Sequence, residues 1–173
     1  MLTPSFEYTQ TLNTQNKIIS DLSSDQFANS LSALPRPIVF TNGCFDILHR
    51  GHSTYLEEAR NLGASLIVGV NTDESVKRQN KGDDRPINTL DDRMAILASL
   101  ACVDMVVSFS DDTPLELIKK TLPHHLVKGG DWPVAEIIGA KEVIQNGGEV
   151  HSLAFKYDRS TTNLINKIKG FTK

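Results

Sequence analysis

Apolar residues along this chain follow two rhythms, and the alternation between them predicts the architecture. The runs Ile38-Val39-Phe40, Leu66 to Val70, Met105 to Phe109, His125-Leu126-Val127 and Val150 to Phe155 are short and nearly continuous. That is the form of a strand buried on both faces. Between the runs, apolar residues recur at helical spacing. Tyr55, Leu56, Ala59 and Leu62 mark a helix over 53–62, and Met94, Leu97 and Leu100 mark one over 90–100 capped by Thr89. Thr113 is expected to cap a further helix, with Pro114 at its first position, that runs to Thr121. Another, over 137–145, stops at Gly147-Gly148, and a last one spans 162–169. Ahead of the first run, Asn16 to Leu34 places Ile18, Ile19, Leu22, Phe27, Leu31 and Leu34 near helical spacing and ends at Pro35 and Pro37. Residues 1 to about 16 are polar and read as a fraying terminus. Strands alternating with helices imply an α/β domain, a parallel sheet covered on both faces. Lys77 to Asn88 (KRQNKGDDRPIN) follows neither rhythm and reads as a charged loop at the rim of a site.

Composition narrows the class. The 173 residues suffice for one domain with a proper core, and the formal net charge of -3 gives no sign of a nucleic-acid partner, although a local basic pocket stays open. No apolar run approaches a membrane span, and the first residues lack the basic-then-apolar build of a signal peptide. Cys44 and Cys102 stand far apart, which fits two reduced thiols in a cytoplasmic protein.

In an open α/β sheet, ligands bind beyond the carboxyl ends of the strands, near the point where strand order reverses. The first strand ends here in Thr41-Asn42-Gly43, followed by Cys44, Phe45, Asp46 and the pair His49 and His52. A helix N-terminus suits an anion, Gly51 lets a phosphate approach the backbone, and histidines three apart can point the same way. Two imidazole donors could stabilise charge that builds during phosphoryl transfer. A metal site is the weaker alternative, because HxxH supplies two ligands and nothing nearby completes it. Two unrelated surface histidines remain the plain alternative. Neither GxxxxGK[ST] nor GxGxxG is present, so an anion site must rest on the histidine turn.

The stretch from Asn42 to His52 (NGCFDILHRGH) resembles the signature of the HxGH nucleotidyltransferase superfamily, the cytidylyltransferase-like enzymes. The segments VNTDESVKRQNKGDDRPIN, DDRMAILASLACVDMVVSFSDDTP, LVKGGDW, GAKEVIQNGGEV and STTNLINKIK are similar to the adenylyltransferase half of the bacterial ADP-heptose synthesis enzyme. That likeness covers residues 37 to about 169, and the later segments make it specific to the heptose branch.

The resemblance implies residue roles. His49 and His52 would hold the ATP phosphates and stabilise the transition state. The backbone of Thr41, Asn42, Gly43, Cys44 and Phe45, with Gly51, would line the nucleotide site. Lys77 would be the phosphate-binding lysine, with Arg78 and Lys81 as close substitutes. Arg93 would face the phosphates or the acceptor. Gly129, Gly130, Asp131 and Trp132 would border the nucleoside. Ser160, Thr161 and Thr162 would cap the last helix and meet the β- and γ-phosphates. Asp46, Arg78, Lys81 and Arg85 would lie on the acceptor side. Related cytidylyltransferases place an arginine where this chain has Phe155, and Arg159 directly precedes Ser160, so the role of Arg159 is open.

The fold implied is Rossmann-like and doubly wound, with five parallel strands in the order 3-2-1-4-5 and an N-terminal helix. Residues 1–34 would form an N-terminal extension and 35–173 the nucleotidyltransferase domain. The reaction implied is transfer of AMP from ATP to a heptose 1-phosphate. Mg²⁺ would arrive with ATP and no protein metal site is expected. A separate sugar kinase would supply the acceptor, and a homo-oligomer is allowed. Another acceptor, such as glycerol 3-phosphate with CTP, and a non-catalytic nucleotide-binding module are the other readings. His124, His125 and His151 are expected to be structural or exposed, and Cys44 a small wall residue.

Overall fold

The computed structural model describes residues 13–79, 85–157 and 160–170. Six parallel strands form one sheet: β1 (Ile18–Ile19), β2 (Ile38–Gly43), β3 (Ser65–Asn71), β4 (Met105–Phe109), β5 (His125–Gly129) and β6 (Glu149–Leu153). Their order is β1-β4-β3-β2-β5-β6. The helices are α1 (Asp25–Ala33), α2 (Arg50–Arg60), α3 (Asp73–Arg78), α4 (Leu90–Ala98), α5 (Leu115–Thr121), α6 (Ala140–Gln145) and α7 (Thr161–Gly170).

Alternation along the central strands fills both faces. Ile38 and Phe40 of β2 join Ile67, Met105, Leu117, Ile118, Leu126 and Val143 in one core. Val39 between them joins Tyr55, Leu56, Ala59, Val68, Met94, Leu97 and Val127 in the other. Successive side chains of a strand point to opposite faces, so a continuous apolar run feeds two cores at once. The chain reverses direction across the sheet after β4. Strand β5 then pairs with the free edge of β2, through Val39 with His125 and Phe40 with Leu126. The carboxyl ends of β2 and β5 therefore flank the crevice where such sheets bind ligands.

The expected five-stranded sheet is corrected to six, and the addition comes from residues 16–34. Instead of one helix, that stretch is a 3₁₀ turn (Thr14–Lys17), strand β1 and then α1. Ile18 and Ile19 pair in register with Val106 and Val107. Asp21 then takes the Ser23 amide and hydroxyl, which stops the strand, and Ser24 starts α1 by accepting from the Phe27 amide. The expected loop over 77–88 also needs correction, because Lys77 and Arg78 end helix α3, which Thr72 caps. Lys81, Asp83 and Asp84 lie outside the described residues. Helix α2 begins at Arg50, earlier than the apolar spacing implied, and α5 begins at Leu115 with no side-chain cap from Thr113. Helix α6 begins at Ala140, after Gly139 with φ +87°, and β6 ends at Leu153, so Phe155 is outside the sheet.

Candidate active site

Strand β2 delivers the chain to its carboxyl edge at Gly43, and Phe45 then turns it with a left-handed φ of +48°. A bulky residue in that region is strained and must be held by its surroundings. Phe45 is, being buried against the core with its ring edge toward His52. Asp46 lies below it, fully buried, and acts as the anchor of the turn. One carboxylate oxygen accepts from Arg85 Nε at 2.5 Å, and the other accepts from the Ile87 and Asn88 amides at 2.8 and 2.9 Å. These contacts tie the segment 85–88 beneath the histidine turn.

His49 is the N-cap of α2, and its Nδ1 accepts from the His52 amide at 3.4 Å. A ring nitrogen that accepts carries no proton, so the neutral ring bears its hydrogen on Nε2, as a donor. The His52 ring stacks on His49, with centroids 3.8 Å apart and planes 15° from parallel. Burial lowers the pKa of both rings. His52 is pushed down to about 4, chiefly by burial and further by the neighbouring His49, with the Ile47 carbonyl opposing. His49 shifts the same way for the same main reason. At neutral pH the pair therefore offers neutral N–H donors at a helix N-terminus.

Three cavities of about 150, 180 and 230 Å³ adjoin along this edge and share Asn42 and Lys128. His52, Tyr55, Gly129 and Phe155 complete the first, Trp132, Glu136 and Ile138 the second, and Cys44, Gln79 and Asp112 the third. Gly129 allows a close approach: a Cβ there would lie 2.6 Å from Phe155 Cζ. Gly130 has a φ of +107°, a conformation that glycine adopts without penalty. The Gly130 amide donates to the Leu153 carbonyl at 2.8 Å, and its carbonyl accepts from Ser152 Oγ at 2.5 Å. Asp131 and Trp132 are exposed beside it. Helix α7 reaches the histidine turn at its first residue, where Thr161 Oγ1 donates to the Ile47 carbonyl at 3.3 Å. Ser160 Oγ accepts from the Asn163 amide, and Thr162 is exposed on the same first turn. The Tyr157 carbonyl would lie 3.7 Å from a Cβ on Gly51, so the segment before α7 crosses the start of α2.

Several expected residues stand elsewhere or act differently. Arg93 is fully buried and lines none of these three cavities. It donates to the carbonyls of Cys44, Asn71 and Asn88 at 2.6, 2.7 and 3.2 Å and to Asp73 Oδ1 at 2.7 Å. It thus clamps the ends of β2 and β3 together from behind the cleft. Arg85 pairs with Asp46 through Nε, and Arg78 pairs with Asp112 at 2.8 Å. Lys77 is exposed on α3, while Lys81 and Arg159 lie outside the described residues. Tyr55, Lys128 and Ser152 were missed. Tyr55 Oη joins Thr41 Oγ1 at 2.5 Å and donates to the Val127 carbonyl at 3.2 Å, bracing β2 against β5, and burial pushes its phenol pKa up. Lys128 carried a signal: it is the cation within LVKGGDW, at the carboxyl end of a strand.

Paired neutral donors at a helix N-terminus, on the carboxyl edge of a doubly wound sheet, suit charge that accumulates on phosphoryl oxygens. Fold and turn together define a nucleotidyltransferase of the HxGH type. The cytidylyltransferase-like family model matches residues 40–167, and the chain belongs to that family. It is 55% identical over 136 residues to the D-beta-D-heptose 1-phosphate adenylyltransferase of Bordetella bronchiseptica, covering 79% of this chain and 84% of that protein. It is 63% identical over 133 residues to the bifunctional protein HldE of Actinobacillus pleuropneumoniae. That match covers 77% of this chain and 28% of HldE, so the chain corresponds to little more than a quarter of the bifunctional protein. Among solved structures, a lipopolysaccharide core biosynthesis protein of Thermoplasma volcanium aligns with a TM-score of 0.58 at 31% identity, over 70% of this chain and 98% of that one. Pantoate-beta-alanine ligase of Francisella tularensis, at 17% identity and a TM-score of 0.57 over 84% of this chain and 68% of that one, shares the fold.

Proposed function

We propose that this protein transfers AMP from ATP to a heptose 1-phosphate, forming ADP-heptose and releasing pyrophosphate. One observation carries the reading: an adenylyltransferase of that substrate is 55% identical over four-fifths of the chain, and the aligned region holds the histidine turn. ADP-heptose made this way would serve lipopolysaccharide or related glycan synthesis.

A phosphate oxygen of the acceptor attacks the α-phosphorus of ATP in line, and the bond to the β-phosphate bridging oxygen breaks. The attacking phosphate is already ionised, so no general base is needed. His49 Nε2–H and the His52 ring donate to the α- and β-phosphoryl oxygens as charge shifts toward pyrophosphate. Residues 41–45 line the nucleotide with Gly129, Gly130, Asp131 and Trp132. The first turn of α7, from Ser160 to Thr162, offers hydroxyl and amide donors to the β- and γ-phosphates. Lys128 adds a cation to the cleft, Lys77 reaches the phosphates from α3, and Arg93 keeps the Cys44 carbonyl fixed. Mg²⁺ enters as part of the substrate, MgATP. Asp46, in the turn itself, has both oxygens engaged by Arg85 and two amides, so the ion would be carried by the triphosphate.

The acceptor would come from a separate sugar kinase. Residues 35–173 would be the catalytic domain and 1–34 its extension, working in the cytoplasm, with self-association allowed. No helix among the described residues is long and apolar enough to cross a membrane. The test is pyrophosphate release across ATP, CTP, GTP and UTP against heptose 1-phosphate, glucose 1-phosphate and glycerol 3-phosphate. Turnover should require ATP with heptose 1-phosphate. Preferred use of CTP with glycerol 3-phosphate would overturn the assignment, and no turnover with any pair would mean a binding module.

A further inference from the structure

We propose that His125, Glu149 and His151 form a binding site for a divalent transition-metal ion, with Zn²⁺ the best fit, on the β5–β6 edge of the sheet. His125 and Glu149 are register partners across the two strands, and His151 lies two residues beyond Glu149. Alternation puts all three on the face that also carries Val127, toward α2. His125 Nδ1 and His151 Nε2 are 3.1 Å apart. Glu149 Oε2 lies 3.8 Å from the first and 3.5 Å from the second.

Those three separations are the argument. Ligands 2.0–2.2 Å from a tetrahedral zinc ion stand about 3.3–3.6 Å from one another. The observed triangle brackets that range, so one ion can be reached by all three atoms with small side-chain movements. A simple hydrogen bond accounts for the histidine pair but not for the carboxylate, which sits at the limit of hydrogen bonding to one ring and beyond it to the other. Two imidazoles and one carboxylate select a borderline ion such as Zn²⁺ over Mg²⁺ or Ca²⁺, which prefer oxygen alone. Both rings are largely shielded while Glu149 is mostly exposed, so the fourth position faces water. The site is separate from the nucleotide cleft, because His125 opens β5 and Gly129 closes it, about 13 Å along the strand. A bound ion would staple the edge strand β6 to β5, and β6 leads directly into the segment that covers the cleft.

The experiment uses the full chain, stripped with a chelator and dialysed. Zn²⁺ is titrated in competition with a chromophoric chelator, and Co²⁺ is added separately to read its coordination by visible absorption. The expected result is one Zn²⁺ per chain, the intense absorption of four-coordinate cobalt, and a Zn²⁺-dependent rise in Tm. His125→Gln or His151→Gln should weaken Zn²⁺ more than about a hundredfold, since even outer-shell partners cost 10–100-fold. Glu149→Gln, on an exposed side chain that the fold does not need, should weaken it at least about tenfold. His49→Ala should leave it unchanged. Unaltered Zn²⁺ affinity in Glu149→Gln and His151→Gln would overturn the proposal. So would loss of binding in His49→Ala, which would assign the ion to the HxGH pair, or the pale spectrum of six-coordinate cobalt.

Discussion

Replacing Arg93 with Met removes the donors that join the ends of β2, β3 and α3 while keeping most of the buried volume. The guanidinium makes four hydrogen bonds, three to carbonyls and one to Asp73, and its side chain is fully buried. Hydrogen bonds from a charged donor contribute about 1.5–3 kcal/mol each, but they are not additive. Asp73 keeps 29% exposure and can be rehydrated, whereas the Asn71 carbonyl is left buried. Breaking a buried pair from one side costs about 3–5 kcal/mol, and we expect the lower half of that range. For a chain of this length that is a fall in Tm of about 10 °C. Urea unfolding should show a lower midpoint with an unchanged slope. Because the clamp fixes the Cys44 carbonyl, the KM for ATP should rise as well. Arg93→Lys, which can reach only part of the acceptor set, should fall between wild type and Arg93→Met. A loss below about 1 kcal/mol in Arg93→Met, with kcat/KM intact, would refute the clamp. Full stability with kcat/KM down a hundredfold would return Arg93 to the phosphates.

Other outcomes follow from the same geometry. His52 titrates near 4 when folded and near 6.5 when unfolded. The unfolded chain therefore binds the extra proton between those values, so stability is full above pH 6.5 and declines as pH falls toward 4. Between pH 7 and pH 5 this should cost about 2 kcal/mol in urea unfolding, and His52→Gln should remove that slope. Gly129→Ala puts a methyl against Phe155 and Tyr55, so ATP binding measured by calorimetry should weaken at least about tenfold, as for 1.4 kcal/mol. Lys128→Ala should raise the KM for ATP measured in steady-state assays, and a KM equal to wild type would remove Lys128 from the nucleotide site.

The sequence revealed most where neighbours in the chain are neighbours in space. The runs at 38–40, 66–70 and 105–109 are legible as strands because a strand buried on both faces has no polar alternation to confuse it. The histidine turn is legible for the same reason, since His49, Gly51 and His52 lie within one helical turn. Strand β1 was hidden because two isoleucines fit a helical spacing as well as an edge strand, and only pairing with Val106 and Val107 decides between them. Helix α3 was hidden because DESVKR buries only Ser75 and Val76, and its order comes from the Thr72 cap. At the site, the partners of Asp46 lie 39 to 42 residues away, and those of Arg93 are three backbone carbonyls and the Asp73 side chain, 20 residues away. A cationic side chain beside a cleft reads as a phosphate ligand until the fold shows that its donors are already occupied. Tyr55 was assigned to the core, and it is there, but its hydroxyl also braces the two strands that flank the cleft.

The most direct test is the single-turnover rate of ADP-heptose formation from ATP and heptose 1-phosphate, measured with wild type, His49→Ala and His52→Ala alongside their ATP affinities. Donors aimed at developing charge act mainly in the transition state. Each substitution should slow the chemical step about 100- to 1,000-fold, the range for losing one oxyanion donor. ATP affinity should change far less. Single-turnover rates within threefold of wild type in both variants would contradict the account.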